Sequence, residues 1–339
     1  MNDFSAIELG QRITSLLTLG RKQTTYKFAL VMALMDYCVE NLPKDPHDPL
    51  SVPIEDLADF VISYYWPQVD SYNVTIGPLY HGSGVSRNAT IPNSIRAFKT
   101  KYADMRSAAF ARETTSEYPS LRRKIAHELT RNPIKYLQTN GRNGSIEQFV
   151  LYDLPSDASN TTICLKNGVA WSLAYLEPLL RPFIENCWRD EIIRFNKGLK
   201  EDRLVEFLFG SSRSNIAKLT PNLSEFQNGK CFYCGKSFRP KEIEIDHVLP
   251  WSRTFIDGVA NLVATDKRCN GNKSDMLPSY DLFKLAVERS VDEISSIAKH
   301  HNMATMFNET KATGEGLYKI LPFGSPLWSG FDKFVWHTN

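Results

Sequence analysis

The chain is 339 residues long, 42% of its residues are hydrophobic, and its formal net charge is +2 at pH 7. These values are enough for a sizeable core and for two or three domains, and they exclude a chain that is strongly basic or acidic throughout. The amino terminus has no basic start followed by an apolar run. The apolar stretch FALVMALMDYCV contains an aspartate and is too short to cross a bilayer. We expect a cytoplasmic protein without membrane association.

The first 212 residues predict a mainly helical region. Residues 24–41 have the pattern of a buried helix that begins at a threonine cap, and a proline followed by acidic residues marks a second helix start near residue 53. Helical patterns also cover about 93–112 and 119–130. We expect this region, 1–212, to be a scaffold that recognises DNA or a partner.

Positive charge is concentrated between residues 96 and 142. Eleven lysines and arginines stand against four acidic residues in this stretch. Such a run is typical either of a solvated helix face or of a surface that meets a phosphate backbone. For the second alternative, the candidate nucleic-acid-binding residues here are Arg122, Arg123, Lys124 and Arg142.

Residues 132–155 read as a strand, a glycine turn and a second strand. Two helices followed by a basic hairpin would form a winged-helix element, and the alternative is an ordinary mixed scaffold. Residues 161–199 predict a strand and then a long helix, and we expect Pro178 and Pro182 to bend or interrupt the beginning of that helix. The polar segment FGSSRSN, residues 209–215, predicts a linker between domains.

The second half of the chain predicts a different architecture. Residues 216–280 are short-stranded and punctuated by glycine, which indicates a small α+β domain. Residues 281–303 have the pattern of an amphipathic helix, and the rest of the C-terminal region, 281–339, is aromatic and turn-rich. The expected fold class is therefore α+β, with a helical N-terminal region, a small mixed domain and a helical, aromatic tail.

One set of polar residues stands out in the small domain. The alternating residues 242–245 predict a strand that ends in Asp246 and His247, followed fourteen residues later by Asn261 and nine residues after that by Asn270. Phosphodiester hydrolysis needs an activated water and a cation at the phosphate. Imidazole is a suitable base near pH 7, and carboxylate and amide oxygens suit Mg²⁺ or Mn²⁺.

This segment, residues 231–275, resembles an HNH endonuclease, a ββα-metal nuclease. Its spacing and its NLVATDKRCNGNKSD half are similar to the HNH domain of RNA-guided CRISPR nucleases, and the whole arrangement resembles, more loosely, bacterial restriction and phage-defence HNH proteins. The resemblance implies a role for each matching residue. His247 would be the general base, Asp246 and Asn270 would hold one divalent metal, Asn261 would position the histidine loop, and Lys273 would lie near the nucleic-acid backbone. Arg268, in the same segment, is a further candidate nucleic-acid contact.

The cysteines depart from the family's pattern. Many HNH nucleases brace the hairpin with two Cys-x-x-Cys pairs, whereas here the second pair is Asp266 and Cys269. Cys231 and Cys234 could join these two residues in a structural zinc site with three sulfur ligands and one oxygen. The alternatives are that zinc is lost and the thiols pack, or that a histidine from elsewhere completes the site. We favour bound zinc.

The function we expect is metal-dependent cleavage of DNA, double-stranded in the first instance, in restriction or anti-phage defence. A single HNH centre cuts one strand per engagement, so double-strand cleavage would need a homodimer or two visits, and a defence-system partner protein is an alternative. Three other hypotheses stay open: a non-catalytic, zinc-stabilised nucleic-acid-binding or regulatory module, a mobile-element homing nuclease, and RNA as the substrate.

Overall fold

The computed structural model describes residues 5–19, 23–84, 87–139, 150–154, 161–199, 203–210, 216–239 and 242–338. The chain divides into two compact units, Met1–Ser212 and Arg213–Asn339, which we call unit 1 and unit 2. The division falls inside the segment that the sequence predicts as a linker. In the part of the chain that the structure describes, no helix is long and apolar enough to span a membrane.

The described part of unit 1 is a set of helices with one two-stranded sheet. The helices are α1 (Ala6–Leu19), α2 (Tyr26–Glu40), α3 (Ile54–Gln68), α4 (Thr90–Lys101), α5 (Ala108–Thr114), α6 (Tyr118–Arg131), α7 (Pro133–Tyr136), α8 (Val169–Phe195) and α9 (Leu204–Phe209). The sheet pairs β1 (Leu50–Pro53) with β2 (Thr162–Leu165), antiparallel.

Helix α2 lies in the core of unit 1 because nearly all of its residues are apolar. Nearly all of its side chains are buried, as expected for a helix without a polar face. It packs against α3 and α8, and the rings of Phe28 and Trp188 stack with centroids 6.2 Å apart. The predicted buried helix is confirmed. Its threonine, Thr25, precedes the helix but makes no side-chain cap; its hydroxyl instead meets the hydroxyl of Tyr65 at 2.6 Å.

Two helical patterns differ from their predictions in where they are interrupted. Helix α8 runs without a break through Pro178 and Pro182, because its buried face packs along α2 and outweighs the hydrogen bonds that proline removes. Conversely, the single pattern at 93–112 is divided into α4 and α5. The hydroxyl of Ser107 accepts a hydrogen bond from the backbone N–H of Phe110 and so begins a new helix.

The predicted winged-helix hairpin at 132–155 is not supported. Its first strand is wrong, because Pro133–Tyr136 is the short helix α7, and proline at a first helical position is preorganised for a helix start. Residues 140–149 and 155, which include the predicted glycine turn, lie outside the described residues. In the described part of the second strand, Tyr152 forms an isolated bridge with Leu165 of β2.

The described residues of unit 2 contain two hairpins and six α-helices. The strands are β3 (Ile243–His247), β4 (Leu262–Asp266), β5 (Pro326–Gly330) and β6 (Lys333–Trp336), paired as β3–β4 and β5–β6. The helices are α10 (Thr220–Phe226), α11 (Trp251–Thr254), α12 (Lys267–Lys273), α13 (Tyr280–Val287), α14 (Val291–His300) and α15 (Phe307–Ile320). A core of apolar residues from α10, β4 and α14 supports the first hairpin.

The amphipathic pattern at 281–303 is two helices rather than one, so that prediction was wrong. Helix α13 ends at Val287, and Ser290 begins α14 by accepting a hydrogen bond from the backbone N–H of Glu293 through its hydroxyl. The aromatic tail contains the last helix, α15, and the β5–β6 hairpin. The apolar periodicity alone did not reveal the serine cap as a helix start.

Candidate active site

Strand β3 places alternate side chains on opposite faces. It pairs with β4 in antiparallel register, with Asp246 opposite Val263 and His247 opposite Leu262. Because the side-chain period of a strand is two, Glu244 and Asp246 share one face, and His247 ends the strand on the other. The strand therefore does end where the sequence places Asp246 and His247.

Helix α12 follows β4 directly and faces the carboxylates of β3. Asn270 and Lys273 lie one turn apart on this helix, so they share a face. The Asn270 amide Nδ2 donates to Glu244 Oε2 at 2.7 Å, and Lys273 Nζ lies 3.0 Å from Asp246 Oδ2. These two contacts link strand β3 to helix α12. They place Asn270 against the face of β3 that carries Asp246, the other residue that the sequence predicts to hold a divalent metal.

Lys273 is fully buried. Its ammonium also donates to the carbonyl oxygen of His247 at 2.8 Å, so this lysine contacts both residues at the end of β3. The sequence predicts that Lys273 lies near a nucleic-acid backbone, whereas the structure directs its charge at Asp246. A lysine buried against a carboxylate neutralises that carboxylate's charge in part and fixes its position.

Tyr233 is a second donor to Asp246. Its hydroxyl donates to Asp246 Oδ2 at 2.5 Å. Burial, together with the neighbouring Asp246 carboxylate, raises the pKa of Tyr233 well above its usual value, so the phenol keeps its proton. Both donors use Oδ2, and no donor among the described residues contacts Oδ1. The fit for a divalent cation is therefore good: one carboxylate oxygen is anchored and the other is left for an ion.

His247 is held by a carboxylate from the loop that follows it. Its Nε2 lies 3.1 Å from Asp257 Oδ1, and its ring centroid lies 5.4 Å from that of Trp251. Gly258, the residue after Asp257, passes close to the segment before α15. A Cβ at this position would lie 2.3 Å from the Cβ of Met306. Glycine is required at this position so that the loop can approach and hold Asp257 in place.

Asn261 holds the same loop from inside. It is fully buried, and its amide oxygen accepts from Leu249 N at 2.8 Å while Nδ2 donates to Leu249 O at 3.0 Å and to Ile256 O at 3.1 Å. Its backbone carbonyl accepts from Val248 N at 2.8 Å, just past the end of β3. Asn261 thus ties together both ends of the loop after His247.

Four further side chains converge where β4 meets α12. Cys231, Cys234, Asp266 and Cys269 place their ligand atoms within 4.8 Å of one another. Asp266 is the cap of α12: its Oδ1 accepts from the backbone N–H groups of Arg268 and Cys269 at 3.0 and 2.9 Å. Its other oxygen accepts from the Cys234 thiol at 3.2 Å. This Cys₃Asp cluster could hold a metal.

The protonation of the cluster is set by burial and by its internal hydrogen bonds. Burial raises the pKa of Cys269 and of Cys234, so both stay thiols when no cation is bound. Burial alone would raise the pKa of Asp266, but hydrogen bonds from the Cys269 N–H and from the thiols outweigh it and lower that pKa. A tetrahedral set of thiolates and one carboxylate is a donor set that zinc accepts, and zinc would displace the thiol protons.

The residues predicted to contact nucleic acid are divided by the structure. Arg268 is exposed on α12, with its guanidinium 4.5 Å from the ring centroid of Phe331. Arg122 is engaged within unit 1, where its Nε lies 3.0 Å from Asp59 Oδ2. Arg123 and Lys124 are exposed on α6. Arg142 lies outside the described residues.

Three residues that contact the predicted set were not identified from the sequence: Tyr233, Glu244 and Asp257. Glu244 is two positions before Asp246, so strand alternation would have placed it on the same face. Tyr233 lies inside the Cys-x-x-Cys pair and Asp257 lies in a loop, and in neither case does a local pattern show what the side chain contacts.

Comparison with known proteins agrees with the geometry. Residues 231–279, which carry the hairpin, the Cys₃Asp cluster and helix α12, match the family model described as HNH endonuclease. The predicted HNH domain is thereby confirmed, and it indicates a nuclease that acts on nucleic acid. Residues 6–208 match a second family, described as Domain of unknown function (DUF8808), and because this match covers more than half of the chain, the chain belongs to that family. No curated protein was found to match the chain.

Proposed function

We propose that the protein is a metal-dependent endonuclease that hydrolyses phosphodiester bonds in DNA. The observation that carries this proposal is the pair of contacts between β3 and α12, one from Asn270 to Glu244 and one from Lys273 to Asp246. They set Asn270 against the face of β3 that carries Glu244 and Asp246, while His247 ends the same strand and contacts Asp257. A zinc-binding fold without catalysis would have no need for this second, oxygen-rich arrangement beside the cysteines.

In this proposal each residue has one task. Asp246 and Asn270 hold a divalent cation, Mg²⁺ or Mn²⁺, through one carboxylate and one amide oxygen. The cation supplies positive charge at the scissile phosphate and at the leaving oxygen. His247 takes a proton from the attacking water as the oxygen–phosphorus bond forms and the bond to the leaving oxygen breaks. Asn261 keeps the histidine loop closed, and Lys273 and Tyr233 fix the carboxylate.

The Cys₃Asp cluster has a separate, structural task in this proposal. With zinc bound, its four protein ligands leave no open position for substrate. It ties the Cys-Phe-Tyr-Cys segment to the first turn of α12. Tyr233 and Asn270, one from each side, are positioned by this tie. Zinc would therefore order the residues that contact Asp246.

The setting in restriction or anti-phage defence is proposed on the resemblance of the HNH segment. Double-stranded DNA is the proposed substrate, and the exposed residues Arg123 and Lys124 of unit 1, with Arg268 of unit 2, are proposed contacts to its backbone. Since one base and one cation serve one phosphate, we propose nicking by a single chain, with double-strand cleavage requiring a homodimer or a partner protein.

The proposal is tested by incubating supercoiled plasmid with the full chain in Mg²⁺, Mn²⁺ or EDTA. We expect nicking that needs the metal and that falls by about 10²–10⁴-fold in His247→Ala, the usual contribution of a general base. His300→Ala is the control, because His300 is exposed on α14. Equal cleavage by His247→Ala would overturn the assignment of the base. Salt-sensitive DNA binding without cleavage in any metal would favour the non-catalytic module.

A further inference from the structure

Two side chains of the proposed site, an imidazole and a carboxamide, each have two polar ends that differ chemically. A neutral imidazole carries its proton on one ring nitrogen and leaves the other as a base, and a carboxamide has a donor end and an acceptor end. Which atom faces the substrate decides whether the residue can act. In this structure each of the two residues, His247 and Asn270, contacts a carboxylate to which the HNH resemblance assigns no role.

An ionised carboxylate accepts hydrogen bonds and cannot donate them. Asp257 Oδ1, 3.1 Å from His247 Nε2, therefore requires the proton on Nε2 and leaves the lone pair of the neutral ring on Nδ1. Glu244 Oε2, 2.7 Å from Asn270 Nδ2, requires the NH₂ end of the amide and directs the amide oxygen Oδ1 away from Glu244. In each case the contact with the carboxylate determines which atom of the side chain stays available, Nδ1 of His247 or Oδ1 of Asn270.

We propose that Asp257 and Glu244 are positioning residues that select the reacting atoms of the site: Nδ1 of His247 for water and Oδ1 of Asn270 for the cation. The inference rests on the proposed nuclease function for its purpose, since it deepens the roles of those two residues. Neither carboxylate touches the reacting atoms. Each acts through the side chain that it orients.

The surroundings of the two carboxylates fit this role. Asp257 is followed by Gly258, whose close approach to Met306 fixes the loop, and Trp251 borders the imidazole from the loop side. Glu244 is placed by strand pairing, opposite Thr265 of β4. Both carboxylates are therefore mounted on constrained backbone, which a selecting group requires.

The first test concerns His247 and uses ¹⁵N-labelled full chain. Long-range ¹H–¹⁵N spectra report which ring nitrogen carries the proton, and comparison with His247→Ala assigns the signals. We expect the Nε2–H tautomer in wild type and a shift toward Nδ1–H in Asp257→Asn, whose amide can also donate. The same substitution beside a catalytic histidine in serine proteases lowers kcat by about 10⁴-fold through the wrong tautomer.

The kinetic arm separates positioning from binding. We expect Asp257→Asn to lower kcat by about 10²-fold or more while KM changes by less than about twofold, and Asp257→Glu to restore part of the rate. Asp281→Asn, at an exposed aspartate of α13, is the matched control. An Nδ1–H tautomer in wild type, or an unchanged kcat in Asp257→Asn, would overturn the role of Asp257.

The second test concerns Asn270 and needs no turnover. Mn²⁺ binding is measured by electron paramagnetic resonance in the His247→Ala background. A glutamine at position 244 can present either end of its amide, so we expect Glu244→Gln to weaken Mn²⁺ binding by about tenfold, as loss of an outer contact to a ligand does. Glu242→Gln removes an exposed charge just before the same strand and should change little.

The outcomes distinguish this inference from the proposed function. Equal losses of Mn²⁺ affinity in Glu244→Gln and Glu242→Gln would mean that charge alone matters, and the orienting role of Glu244 would be wrong. If wild type cleaves no DNA but shows the Nε2–H tautomer and the loss specific to Glu244→Gln, the positioning stands and the nuclease proposal fails. If wild type cleaves DNA and neither substitution has an effect, the nuclease proposal stands and the positioning inference is wrong.

Discussion

The two units use buried and half-buried charge in different ways. In unit 1, Arg181 is buried between the carboxylates of Asp36 and Glu177, so that charge is matched by opposite charge. Unit 2 also contains one buried pair, Lys273 with Asp246. Its carboxylates Glu244 and Asp257 instead face an amide and an imidazole. Paired ions in a core hold a structure together, whereas carboxylates set against neutral groups orient groups that stay available for chemistry.

The largest expected effect concerns metal in unit 2. Structural zinc contributes on the order of 10 kcal/mol to the folding of small domains. Removing it should therefore increase hydrogen exchange in unit 2 and leave hydrogen exchange in unit 1 unchanged. We expect zinc in the purified protein by elemental analysis, and its loss in Cys234→Ser. Hydrogen exchange read by mass spectrometry would then show lost protection in peptides of 216–280.

Cys164→Ser is the matched control for this experiment, because Cys164 is an exposed thiol of unit 1. It should change neither the metal content nor the protection of either unit. A zinc-free wild type whose unit 2 is as protected as unit 1 would contradict the proposed zinc site and favour simple packing of the thiols.

The second effect concerns the ion cluster in unit 1. Arg181→Met leaves Asp36 and Glu177 without their cation, and breaking a buried pair in this way costs about 3–5 kcal/mol. We expect faster hydrogen exchange in α2 and α8, and an unchanged cleavage rate for each folded molecule. Arg194→Met, at a half-exposed arginine of the same helix, should cost less than about 1 kcal/mol.

Arg122 and Arg123 provide a comparison within the basic stretch. Burial raises the pKa of Asp59 and the Arg122 guanidinium opposes that rise, so Arg122→Ala should destabilise unit 1 by about 1–3 kcal/mol. Arg123→Ala should leave stability unchanged and weaken DNA binding. Urea unfolding and fluorescence anisotropy with labelled duplex measure the two effects. Weaker DNA binding in a fully stable Arg122→Ala would reverse this assignment.

The smallest effect is a pH dependence in unit 1. Burial lowers the pKa of His81 to about 3, below its value in the unfolded chain of about 6.5. The unfolded state therefore binds more protons between these values, and stability falls as pH drops below about 6.5. Between pH 7 and pH 5.5 we expect a loss of about 1 kcal/mol.

His81→Gln removes this titration, so its stability should change less over the same pH interval. The measurement is the urea midpoint at each pH. An equal slope in wild type and variant would mean that the imidazole already takes up a proton in the folded state.

The elements that sequence patterns predicted well are those decided by neighbouring residues. The stretch at 24–41 is mostly apolar on every side, which predicts a buried helix. The spacing from Asp246 to Asn270 spans one hairpin and the helix that follows, so short connections place its members on neighbouring elements. The same patterns failed where distant packing decided the outcome, as in helix α8, which continues through two prolines, and in α7, which occupies the position of a predicted strand.

Taken alone, the sequence predicted the HNH domain and the four residues of the Cys₃Asp cluster, because all of these lie within one short segment. The residues proposed to hold a cation and to supply a base lie in the same segment. Only the tertiary structure decided the partners of the charged residues. Arg122 and Lys273 both read as contacts for a phosphate backbone, yet one meets Asp59 from a helix far earlier in the chain and the other is buried against Asp246. A charge is paired with whatever the fold brings within a few ångströms, and sequence distance carries no information about that.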